Sequence, residues 1–113
     1  MARLITGGAT IAGSLSVFLT PSQLFIDLPQ GGGGATSNVC FANVSDGTPP
    51  YTYLWTYQSG FVLTITNPTL SNTAFSHSGP VAGIKVSTYK CTVTDSLAAE
   101  AFNFVDIDTE LLV

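Results

Sequence analysis

The sequence predicts an all-β fold, an antiparallel sandwich of two layers, on three observations. Short runs of β-branched and aromatic residues alternate with polar ones, and clusters of Gly, Pro, Asn, Asp and Ser punctuate them. No segment sustains a helical period. Cys40, Trp55 and Cys91 stand in the order that places a Trp and two Cys at one core, with Tyr89 two residues before the second Cys.

Composition limits what such a domain does. At 113 residues the chain has room for one domain. Lys and Arg total 3 against 7 Asp and Glu, a net charge of -4, so the phosphate-neutralising surface that a nucleic-acid binder needs is missing. Charged residues make up 9% of the chain, where soluble domains average about 25%, and mean hydropathy is +0.39. Two readings of that low charge stand side by side: a surface covered by partners, or one solvated by Ser and Thr.

The elements follow in order. Arg3 and the weakly apolar stretch after it imitate a signal peptide, but Thr6, Gly7, Gly8, Thr10 and Gly13 dilute the stretch and no small-x-small cleavage site follows. The expectation is an uncleaved, extended N-terminal arm over residues 1–14. No apolar run approaches the ~20 residues that span a bilayer, so no membrane partner is expected. Leu15 to Leu19 and Leu24 to Leu28 read as short strands, and Pro21 between them suits a first strand that switches sheets. The run Gly31 to Gly34 has no following Lys and opens no helix, which makes it a turn rather than a phosphate cradle.

Thr36 to Val44 reads as a strand with Asn38, Cys40, Ala42 and Val44 on one face. Tyr51, Tyr53, Trp55 and Tyr57 alternate strictly and mark the clearest strand. Beyond Gly60, Phe61 to Thr66 is expected as its hairpin partner, closed by Asn67-Pro68. Leu70 to Ser76 is a weaker strand, followed by the turn Ser78-Gly79-Pro80. Lys85 to Thr94 alternates again, with Tyr89, Cys91 and Val93 inward, and a last strand is expected near Ala99 to Ile107. These bounds predict a sandwich over 15–108 with Greek-key connections and a short tail over 109–113.

Two segments carry a family resemblance. SDGTPPYTYLW resembles the turn and strand of polycystic-kidney-disease-type domains, commonly GGxxPYTYxW, and YKCTVTDS resembles the later strand of that family and of immunoglobulin sets. Asp46 stands where the pattern has its first glycine. The resemblance implies an immunoglobulin-like sandwich with Trp55 at the centre of the core and a Tyr89 hydroxyl bonded to backbone at a corner. It implies a Cys40–Cys91 bridge between the sheets, or two buried thiols in a reducing compartment. A bridge would close a loop of about 50 residues, for which chain entropy predicts about 4 kcal/mol.

Nothing in the sequence spells an active site or a cofactor site. His77, the single histidine, lies between Ser76 and Ser78, but neighbours along a chain point apart and no nucleophile-elbow motif appears. The expectation is a protein that is not an enzyme. Asp106, Asp108 and Glu110 recur at every second residue and are weak calcium candidates, with a solvated acidic edge as the plainer reading. Asn43-Val44-Ser45 fits a glycosylation sequon of little specificity. Phe41, Leu54 and Phe102 or Phe104 fall opposite the presumed core faces, through outward contact surfaces or misassigned strand parity.

Similar modules occur on tailed-phage virions, in adhesins and on bacterial surfaces. The expected function is therefore a virion structural protein, most specifically a capsid decoration protein of a tailed bacteriophage, on the capsid exterior. Its expected partners are other virion proteins, the major capsid protein first, with a homo-oligomer possible. The alternatives are a tail or fibre component, or a secreted or cell-surface adhesion module that binds a host glycan or protein through loops, with Tyr51, Tyr53 and Tyr57 as candidate contacts.

Overall fold

The computed structural model describes residues 14–112. The expected arm therefore lies almost wholly outside the described residues. Strands β1 (Ser16–Thr20), β2 (Gln23–Leu28), β3 (Gly34–Thr36), β4 (Cys40–Ser45), β5 (Thr52–Gly60), β6 (Thr64–Ile65), β7 (Asn72–Thr73), β8 (Phe75–Ser78), β9 (Lys85–Thr94) and β10 (Glu100–Leu111) build an all-β sandwich.

One layer is the sheet β2-β10-β9-β5. The other is assembled from β1-β4-β7 and β3-β8-β6. The two parts of the second layer lie in line, because β3 pairs with β8 just as β4 pairs with β7, with a one-residue slip between the registers. Ser37 bridges that slip: its N–H donates to Phe75 O at 2.8 Å and its Oγ accepts from Phe75 N at 3.0 Å.

Pro21 divides the first strand between the layers. Before it, β1 pairs antiparallel with β4; after it, β2 pairs parallel with β10. The strand expected over 36–44 is broken at Ser37 to Val39, where the chain leaves the ladder.

Two expectations are corrected by the pairing. The segment after Gly60 is not a hairpin partner of β5. Gly60 has φ +86, a conformation open to glycine, and the chain turns there into the opposite layer, where Thr64 and Ile65 pair with β8. β5 instead pairs with β9, a Greek-key crossing. The last strand also runs on through the residues expected as a tail. Thr109, Glu110 and Leu111 continue the β2 ladder opposite Ile26, Asp27 and Leu28, and Thr109 is fully buried.

Between the layers sit Leu24, Ile26, Trp55, Phe75, Tyr89, Cys91, Val93, Val105 and Ile107, all buried. Trp55 meets Phe75 edge-on at 6.2 Å, and Phe75 meets Tyr89 at 4.8 Å. The Trp55 indole N–H donates to Leu70 O at 2.8 Å, so the polar edge of the ring is satisfied while its body fills the core.

Candidate functional site

The core signature residues have structural duties. Tyr89 Oη accepts from Leu63 N at 2.6 Å and donates to Leu63 O at 3.0 Å, tying the β5–β6 crossing to β9. Cys40 and Cys91 are both buried free thiols. Cys40 Sγ donates to Pro21 O at 3.3 Å. Burial pushes the Cys40 thiol up to about 11 and, with Cys40 nearby, the Cys91 thiol to about 12. Thiols so held carry almost no thiolate near neutrality and are poor nucleophiles.

His77 lies within β8, and its ring stacks edge-on against Phe61 at 4.9 Å. Asp106, Asp108 and Glu110 do share one face of β10, as the period requires, but successive outward positions on a strand are roughly 6.8 Å apart. Calcium ligands must sit about 2.3–2.6 Å from one ion. The calcium candidates therefore do not converge, and among the described residues no group of three His, Cys, Asp or Glu could hold a metal. Asp106 Oδ1 accepts instead from Thr88 Oγ1 at 2.8 Å. In the sequon, Asn43 Nδ2 is engaged by Thr20 Oγ1 at 2.7 Å, mid-strand.

What the fold does assemble is a two-toned outer face on the four-stranded sheet. Register places Thr52, Thr94 and Glu100 in one outward row, then Leu54, Thr92 and Phe102, then Thr56, Lys90 and Phe104. Further along β10 come Thr88, Asp106 and Gln23, then Val86, Asp108 and Phe25, and last Glu110 beside Asp27. Phe25, Leu54, Val86, Phe102 and Phe104 are all substantially exposed, Phe102 by 54%. Phe102 and Phe104 stack edge-on at 5.6 Å, with Lys90 Nζ 4.2 Å above the Phe102 ring.

Asp27, Glu100, Asp106, Asp108 and Glu110 are five of the chain's 7 acidic residues, so this face holds most of its negative charge. Sequence parity pointed to Leu54 and to Phe102 or Phe104. It did not single out Phe25 or Val86, because Phe25 meets Asp108 only through the parallel β2–β10 pairing and Val86 only through the antiparallel β9–β10 pairing.

At one end of the sandwich Asp95 clasps two loops. Its Oδ2 accepts from Thr48 N at 3.0 Å, and its Oδ1 accepts from Leu97 N and Ala99 N at 2.9 Å each. The Thr48 N–H bond leads the causes that hold this carboxyl below the usual carboxylate range. Asp46, in place of the first glycine of the resembled motif, adopts φ +64, and its carbonyl receives the Tyr51 hydroxyl at 2.8 Å. Asp enters that left-handed region more readily than most residues, which is why the motif survives the exchange.

No protein-family model matches the chain, and no curated protein does. Solved structures do. The ASH / PapD-like domain of human CEP192 superposes with a TM-score of 0.67 at 4% identity, over 85% of this chain and 84% of that one. The PKD domain of human KIAA0319 gives 0.53 at 16% identity, over 99% and 95%. The fold is an immunoglobulin- and PKD-like sandwich. The same sandwich matches 26% of a nucleoside hydrolase-related hypothetical protein from Saccharophagus degradans, at a TM-score of 0.59 and 12% identity over 89% of this chain.

Proposed function

We propose that this PKD-like sandwich is a non-enzymatic structural module that attaches to a larger assembly. In its most specific form it is a decoration protein on the capsid exterior of a tailed bacteriophage, with the major capsid protein as partner. The outer face of the four-stranded sheet carries this reading: five exposed apolar side chains and five carboxylates share one surface, in a chain that has few charges elsewhere. Extended apolar patches with polar rims mark contact surfaces. The loop-adhesion reading has less support, because the Tyr51 and Tyr57 hydroxyls are already bonded to the backbone carbonyls of Asp46 and Gly60.

The test is immunogold imaging of particles purified from the native source. Label on the capsid exterior is the expected result. Label on the tail would replace it with the tail reading. Particles without label, with the protein recovered from the medium or the cell surface, would overturn the assembly reading in favour of adhesion.

A further inference from the structure

We propose that β2 is a homodimerisation edge, at which two copies of the chain join their four-stranded sheets by antiparallel β2–β2 pairing centred on Phe25. The inference goes beyond attachment to a particle and rests on the backbone of one strand. Among the described residues β2 ends its sheet, with β10 as its neighbour on one side. On that side Asp106 N donates to Ser22 O at 3.0 Å and Leu112 N to Leu28 O at 2.8 Å. In a parallel ladder the groups that face the neighbour come from alternate residues. The backbone of Leu24, Ile26 and Leu28 therefore faces β10, and the N–H and C=O groups of Gln23, Phe25 and Asp27 face outward, as a template for another strand.

Among the described residues the approach to that edge is open. β1 has crossed to the other layer at Pro21, and β3 pairs with β8 rather than with β2. An open groove of about 540 Å3 remains along the edge, bounded by Gln23, Phe25 and Asp27 on one side and Ala35, Thr36 and Asn38 on the other. β2 contains no Lys, no Pro and no bulge that would blunt it.

The side chains select the partner and the register. A two-fold axis through Phe25 sets Phe25 against Phe25 of the partner subunit, and sets Gln23 against Asp27 of the partner subunit twice. Each carboxamide then donates to a carboxylate that, within its own chain, stands beside Glu110. Aromatic and hydrogen-bonded cross-strand pairs of this kind are the units of sheet stabilisation. Slipping the pairing by two residues either opposes Phe25 to Asp27 or shortens the overlap, and a further slip opposes Asp27 to itself. A strand whose outward row complements its own reverse is suited to a closed, isologous dimer.

Sedimentation velocity and oxidative cross-linking of the full chain test this together. The expected result is a concentration-dependent dimer. Phe25→Cys should cross-link into a covalent dimer under mild oxidation, while Asp27→Cys should not, because the two Asp27 positions stand four ladder steps apart. Gln23→Asp opposes like charges at two places and should raise the dimer dissociation constant about tenfold. Adding Asp27→Lys to it restores opposite charges and should recover dimerisation. Circular dichroism of each variant separates a lost edge from a lost fold. A chain that is monomeric at every concentration, equal cross-linking by both cysteine variants, or a double variant no better than Gln23→Asp alone would overturn the proposal.

Discussion

Tyr89 and Asp95 show how single side chains hold the crossings of this sandwich. The Tyr89 hydroxyl satisfies both backbone groups of Leu63 within the core. Tyr89→Phe keeps the ring and abandons a buried N–H and C=O, so urea unfolding should report a loss of about 1–3 kcal/mol. Asp95 acts on loops instead, and its effect depends on pH. Its folded-state pKa lies below the ordinary carboxylate value, so its stabilisation is fully present above that ordinary value and is lost as pH falls through the lower, folded-state one. Asp95→Asn should therefore lower the urea midpoint at pH 7, and the gap between variant and wild type should narrow as pH falls below about 4. Equal gaps at pH 7 and pH 3 would show that the carboxylate charge contributes nothing.

Strands with unbroken alternation were legible, and those defined by distant partners were not. β9 occupies Lys85–Thr94, the bounds its alternation predicts, and the aromatic run anticipates β5. β6, β7 and β8 are two to four residues long and take their identity from pairing with β3, β4 and one another, which no local period encodes. Phe75, fully buried against both Trp55 and Tyr89, was hidden for the same reason. β10 outran its expected end because its run of acidic and Thr residues reads as solvent-facing, although Thr109 among them faces inward. Gly60 makes the element-scale prediction. Its positive φ turns the end of β5 toward the other layer, and a Cβ there would overlap the Val86 carbonyl oxygen. Gly60→Ala should cost at least about 1–3 kcal/mol in denaturant unfolding. A change of a few tenths would mean that the backbone relaxes around the methyl group.

At the scale of the whole molecule, stability and the proposed attachment fall on opposite faces of one sheet. The inward rows of β9 and β10 carry Tyr89, Cys91, Val93, Val105 and Ile107, all fully buried. The outward rows of the same strands carry Phe102 and Phe104, which contact each other and Lys90 rather than the core. Because side chains on a strand alternate strictly, substitutions on one row leave the other in place. Leu54→Ser combined with Phe102→Ser should therefore leave the urea midpoint nearly unchanged, since exposed positions away from caps and networks usually shift stability by no more than about 0.5 kcal/mol. On the proposed attachment, the same double variant should lose association with the particle, read as occupancy in a pelleting assay against wild type. Retained occupancy would move attachment off this face, and a collapse of stability would show that the outward aromatics support the fold itself.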